Sequence, residues 1–327
     1  MSDQMFSIPA DWRGWVWHGG HSPLDLQERY LSATPPQAGE ILVQNAAIGL
    51  NPVDWKVLST QLEQVPGVDG AGTVVAIGPE VEKSLLGRRV AYHQNLQRNG
   101  SFAEYTVLAA KVVMRIPDDI DFATAAAFPC PALTAWQAIE KIPAQSGAPL
   151  LIAGAGGSVG HYLVQLAQAR GFDITTLSSE RHWSRLHALG AKRCLNDSQL
   201  TTEAAHRRYF AVIDAVGPEH AAQLADTLLA NGHLVCIQGR VTEWPCAAFG
   251  RALSLHEVAL GALHQMGNAQ QWHAITQQGE RMLAQIASGS LQSELLLHFP
   301  YDQLPAQLRA LQHRNFSGKQ VILLKLH

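Results

Sequence analysis

The 327-residue sequence is poor in features that mark several large functional classes. It has four cysteines, Cys130, Cys194, Cys236 and Cys246, with no C-x-x-C pair, so neither a disulfide framework nor a short-spaced thiolate motif is encoded. The 15 histidines are dispersed, and none forms H-x-x-x-H. Charged residues make up 16% and the formal net charge is −3, with lysines and arginines scattered, so no basic field for nucleic acid exists. No uncharged apolar run reaches the roughly 18 residues of a membrane span, and "MSDQMFSIPADWRGW" carries acids and a proline where a signal peptide needs an apolar segment. The expectation is a soluble, cytoplasmic protein with no membrane or nucleic-acid partner. Internal repeats and low-complexity segments are absent as well.

What is present begins at residues 150 to 167, "LLIAGAGGSVGHYLVQLA". An apolar strand-like run breaks into glycines and resumes with Val159, Leu163, Leu166 and Ala167 at helical spacing. Gly154, Gly157 and Gly160 make a G-x-x-G-x-x-G turn, and backbone N–H groups at such a helix start converge on an anion, assisted by the helix dipole. Phosphate is the natural guest, and the bland alternative is a tight turn with close helix packing.

Downstream, strand-like and helix-like runs alternate: "FDITTL", "RHWSRLHALG", "YFAVIDAVG", "EHAAQLADTLLANG", "HLVCIQG". That alternation predicts an α/β doubly wound parallel sheet of Rossmann type, whose ligand lies beyond the carboxyl ends of the strands. Gly154, Gly157, Ser158, Val159, Gly160, Ser178, Val216, Gly217 and Gly239 are expected to gather there. An acid about 20 residues past the glycines would hold a ribose 2′-hydroxyl. Here "TTLSSERHWSR" offers Ser178, Ser179 and Arg181, hydroxyls and a guanidinium that suit a 2′-phosphate, so NADPH is the expected cofactor. Ser179 also suits a helix N-cap.

The length implies two domains. The first 130 residues have a different texture, short β-like runs punctuated by glycine and proline, which points to a β-rich, partly open barrel. With "NPVDWK", "PGVDGAGTVVAIG", "GSFAEY", "PALTAWQAI", "GAGGSVG" and "FSGKQVILL", the chain resembles the medium-chain dehydrogenase/reductase superfamily along almost its whole length. The resemblance implies a GroES-like catalytic domain at residues 1–131 and 265–327 and a Rossmann NADPH-binding domain at residues 132–264. It also implies a homodimer, paired through the edge strand in "LSLHEVALGAL".

Zinc alcohol dehydrogenases of this superfamily place a ligand cysteine, a His–Glu pair and a second cysteine at positions matched here by Asn51, by Val68 with Asp69, and by Cys130. Two of three ligands are lost, and catalytic zinc needs three N, S or O anchors plus an open position, so no metal is expected. Cys130 reads as a small buried residue, against a reactive thiol. The resemblance is then to the zinc-independent, quinone oxidoreductase-like branch, whose members reduce quinones or the C=C bond of α,β-unsaturated carbonyls. Without a Lewis acid the acceptor must already be electron-poor, and a quinone or conjugated carbonyl is. A carbonyl or alcohol dehydrogenase and a non-catalytic NADPH-binding sensor or scaffold remain alternatives.

The resemblance assigns catalytic candidates. Asn51 would donate to the substrate oxygen, against a turn asparagine before Pro52. Lys56 stands where some relatives have a tyrosine, with a solvated lysine as the alternative. Tyr92 and His93 end a strand near the pocket rim, where they would shape substrate choice or simply pack. Thr134 aligns with a threonine near the nicotinamide, unless it caps a helix, and Lys319 with a terminal lysine near the cofactor, unless it lies in a surface turn.

Overall fold

The computed structural model describes residues 8–204, 208–314 and 316–325. The chain divides into two compact units, the first comprising Met1–Cys130 and Gly261–His327, the second Pro131–Leu260. Among the described residues no helix is long and apolar enough to cross a membrane.

The first unit is built on a seven-stranded sheet. Its spine is the strand Glu40–Gly49, which pairs antiparallel with Asp69–Ile77 on one edge and with Tyr105–Ala109 and Lys319–Leu323 on the other. Arg89–His93 continues the sheet beyond Asp69–Ile77. Ile41, Leu42, Val43 and Ile48 are fully buried, so the spine runs as apolar sequence rather than strict alternation. The glycines of "DGAGTVV" have a steric reason: a Cβ on Gly72 would lie 1.9 Å from the Gln44 carbonyl oxygen, where the register with the spine shifts. Leu42, Ile48, Phe102, Leu304, Leu308 and Ile322 share a core cluster, each buried side chain contributing about 1.5–3 kcal/mol.

The second unit is a six-stranded parallel sheet. In space its strands run Arg193–Leu195, Asp173–Leu177, Pro149–Ala153, Tyr209–Asp214, Leu228–Cys236, Ser254–Glu257. In chain order that is 3-2-1-4-5-6, the doubly wound arrangement in which ligands bind where the strand order reverses. One expected element is shorter than its sequence pattern. "EHAAQLADTLLANG" reads as one helix, but the helix Pro218–Leu224 gives way to a 3-10 turn at Ala225–Thr227, and the next strand starts at Leu228. Leu228 pairs with Tyr209, and the register then shifts around Asn231, whose φ of 59° suits asparagine.

Candidate functional site

The glycine turn sits in the second unit, between the strand Pro149–Ala153 and the helix Ser158–Ala169. Each glycine answers a different demand. Gly154 takes φ +71°, Gly157 is the helix N-cap with no side-chain capping bond, and a Cβ on Gly160 would meet the Ala155 backbone oxygen at 2.3 Å. Ser158, Val159 and Gly160 therefore form a first turn whose N–H groups face no capping side chain, with no Cβ in the way at Gly157. A phosphate fits this cradle. Arg185, which sequence reasoning missed, braces it: Nη2 donates to the Gly156 carbonyl at 2.7 Å, and Nη1 lies 3.1 Å from His161 Nδ1.

At the end of the next strand, Ser179 caps the short 3-10 turn by position but makes no side-chain capping bond, leaving the N-cap alternative without its hydrogen bond. Arg181 donates through Nε to His182 Nε2 at 3.1 Å, and among the described residues its Nη atoms have no partner. Burial and the cations of Arg185 and Arg181 push His182 below the usual imidazole range, favouring the neutral ring in which Nε2 can accept. The adjacent residue Glu180 accepts from Asn196 Nδ2 at 3.2 Å. Ser178 is half-buried beside it. Beyond the strand Tyr209–Asp214, the N–H groups of Val216 and Gly217 are consumed by Asp214 Oδ1 at 3.0 and 2.8 Å. What they offer a ligand is the exposed Val216 side chain and the open space over Gly217. Gly239 takes φ +112° and borders Pro218. Thr134 is buried inside the helix Pro129–Glu140, so it does not cap it.

The first unit holds a buried polar chain. Asn51 is 2% exposed; its Nδ2 donates to Gly49 O at 3.2 Å and to Asp69 Oδ2 at 2.9 Å, and its Oδ1 accepts from Lys319 Nζ at 2.5 Å. The expected role of Asn51 as donor to a substrate oxygen is thereby corrected, because both amide hydrogens are spent inside the protein. Lys319, 3% exposed, is part of this chain rather than a surface turn. Asp69 Oδ2 also accepts the Cys130 N–H at 2.8 Å, and Oδ1 lies 2.9 Å from His93 Nδ1. Below them Asp54 accepts the N–H groups of Asn51 at 2.7 Å and Val68 at 3.1 Å, and burial pushes its carboxyl up to about 7.

Two further candidates part from this network. Tyr92 is fully buried, donating to Asn45 Oδ1 at 2.7 Å and lying 3.0 Å from Thr106 Oγ1. Desolvation holds its phenol well above the usual range. Strand alternation turns Tyr92 to the opposite face from His93, so the rim position expected for it is corrected to a core position. Lys56 is exposed, its Nζ 5.9 Å from the Trp55 ring centre, and partial burial together with the Arg314 charge lowers its pKa.

At the zinc-ligand positions of the resembling dehydrogenases, the apolar Val68 and the amide of Asn51 do not fit a metal. A different set converges: ligand atoms of Asp69, His93 and Cys130 all lie within 4.8 Å of one another. Cys130, read from sequence as a small buried residue, is half-buried.

Residues 37–118 match the family described as alcohol dehydrogenase GroES-like domain, and residues 189–322 match that described as zinc-binding dehydrogenase. A zinc-type alcohol dehydrogenase-like protein of Schizosaccharomyces pombe is 32% identical over 201 residues, 56% of this chain and 58% of that one. The 2-methylene-furan-3-one reductase of Solanum lycopersicum is 30% identical over 253 residues, 72% of this chain and 64% of that one. The chain thus spans about three fifths of the length of these relatives. In fold, the chain is similar to a putative NADPH:quinone reductase from Bacillus thuringiensis, with a TM-score of 0.85 at 23% identity, covering 96% of this chain and 99% of that one. Two family matches that cover 216 of 327 residues, a 3-2-1-4-5-6 sheet and a glycine turn at its first strand converge on one conclusion. The chain belongs to the medium-chain dehydrogenase/reductase family.

Proposed function

We propose that the protein is an NADPH-dependent oxidoreductase that reduces quinones or the C=C bond of α,β-unsaturated carbonyls. The observation that carries this reading is the uncapped glycine turn followed, one strand later, by Ser178, Ser179 and Arg181 where a carboxylate would select NADH. The relative named for reduction of a methylene-furanone, a conjugated ketone, agrees with it. The bound dinucleotide would supply hydride; the chain's own residues bind and polarise. Gly154 to Gly160 would hold the pyrophosphate, and Arg181, with the two serines, the 2′-phosphate. In the first unit, the ammonium of Lys319 is held on Asn51 and the Nδ1 of His93 on Asp69, an ordered arrangement of charge beside which an acceptor oxygen gaining electron density is stabilised.

Lys56 is the candidate for moving a proton and His93 for shaping substrate choice, and the edge strand Ser254–Glu257 is the surface on which a homodimer would form. The test is NADPH oxidation with 1,4-benzoquinone, an enone and a simple ketone. Turnover with the first two and not the third is expected; turnover with the ketone alone selects a carbonyl dehydrogenase, and no turnover selects a binding protein.

A further inference from the structure

Strand pairing sets Asp69 opposite His93, and Asp69 Oδ1 lies 2.9 Å from His93 Nδ1. The other carboxylate oxygen, Oδ2, is held by Asn51 Nδ2 at 2.9 Å and by the Cys130 N–H at 2.8 Å. A carboxylate can only accept, so Nδ1 carries the hydrogen of the neutral ring and Nε2 keeps its lone pair. His93 is 4% exposed, and among the described residues nothing donates to that Nε2. We propose that Nε2 of His93 is a fixed acceptor for a hydroxyl group on the molecule being reduced, which makes a hydroxyl-bearing conjugated carbonyl the preferred substrate class. The proposal rests on the reading that the first unit's polar chain borders the electron-poor acceptor.

A second imidazole supports it. The ring of His264, on the short helix Ala262–Met266, is centred 5.7 Å from that of His93 and 4.7 Å from the buried Trp272, whose Nε1 is tied to Leu263 O at 3.0 Å. Burial, with the charges of His93 and Lys111, pushes His264 down to about 3, so the ring is neutral and has one hydrogen. That hydrogen goes to the His93 backbone, and His264 Nε2 is buried with no partner. His264 therefore packs against His93 and has no hydrogen to give its Nε2. Asp69 and His264 are positioning residues: one sets which nitrogen of His93 is the acceptor, the other holds the ring in place. A buried acceptor without a donor is costly, so a ligand hydroxyl is gained and an analogue lacking it is disfavoured.

The test compares 2-cyclohexenone with its 4-hydroxy and 4-methoxy derivatives in the full chain with NADPH. The hydroxy compound should exceed the parent by about tenfold or more in kcat/KM, chiefly through KM, and the methoxy compound, which cannot donate, should not. His93→Phe should level the three, and His93→Gln, whose amide oxygen accepts, should keep part of the preference. Equal values for hydroxy compound and parent, a methoxy compound that matches the hydroxy one, or a preference that survives His93→Phe overturns the proposal. A ¹⁵N NMR spectrum of the protein with NADP⁺ should show His93 with a protonated Nδ1 and a lone-pair Nε2, whose resonance moves with 4-hydroxycyclohexanone and not with cyclohexanone. In Asp69→Asn the amide oxygen stays with Asn51 and Cys130, the NH₂ faces His93 Nδ1, and the ring hydrogen should move to Nε2. A protonated Nε2 in the wild type, or a tautomer unchanged in Asp69→Asn, also overturns it. Because the NMR readout needs no turnover, failure of the quinone and enone assay is distinguishable from failure of this inference.

Discussion

Removing Asp54 tests the idea that one buried carboxylate holds the polar chain of the first unit in place. Asp54 accepts two backbone N–H groups, from Asn51 at 2.7 Å and Val68 at 3.1 Å, and these residues precede Pro52 and Asp69. Asp54→Ala strands both donors in a site closed to water. A buried unsatisfied donor costs about 1–3 kcal/mol, so the pair costs about 2–6 kcal/mol against a native stability of about 5–15 kcal/mol. At 4 kcal/mol the melting temperature of a unit this size falls by about 8–16 °C. Asp54→Asn retains one acceptor oxygen and should lose about half as much.

The acid also predicts a pH dependence. Burial raises the folded pKa to about 7 from the ordinary 3.8, so the native state holds the proton more tightly than the unfolded chain. That contribution is complete below about pH 4 and is lost as pH rises through 7, and Asp54→Asn should remove this slope. Urea titrations between pH 4 and 8, followed by the fluorescence of the core tryptophans, read both effects. Identical midpoints for wild type and Asp54→Ala, or a slope unchanged in Asp54→Asn, would refute the reasoning.

Gly160→Ala places a Cβ 2.3 Å from the Ala155 oxygen, and backbone cannot yield cheaply, so dinucleotide affinity by calorimetry should fall at least tenfold. Arg181→Ala should weaken NADPH by about tenfold or more while leaving NADH nearly unchanged, since a charge-assisted hydrogen bond contributes about 1.5–3 kcal/mol; equal losses would exclude the 2′-phosphate role. His220 is hydrogen-bonded to Asp214, which raises its pKa above the ordinary 6.5. Its stabilisation is therefore full below pH 6.5 and lost as pH climbs through the raised value, a loss on the alkaline side that thermal melts of His220→Ala should no longer show.

Local pattern was enough for the second unit's architecture and for the phosphate cradle. Gly154 owes its identity to its φ of +71° and Gly160 to the Ala155 backbone five residues before it, and the strand-helix alternation dictates a parallel sheet. The helix read through "ADTLLANG" failed because helical propensity there is overridden by pairing of Leu228 with Tyr209. Likewise, strand alternation alone could have separated Tyr92 from His93, a signal present in "RVAYH" but outweighed by the resemblance.

The sequence by itself determined the fold family, the glycine turn proposed to receive a dinucleotide and the residue types from which a 2′-phosphate is inferred, because each depends on neighbours along the chain. Tertiary structure alone decided which partners Asn51, Lys319, Asp69, His93 and Cys130 have. Asn51 and Lys319 are 268 residues apart, and their hydrogen bond exists because antiparallel pairing lays Lys319–Leu323 beside the end of Glu40–Gly49. Hydrogen-bond geometry then spent both amide hydrogens of Asn51 and set an imidazole, a carboxylate and a thiol within 4.8 Å, a convergence fixed by strand register, which no spacing along the chain encodes.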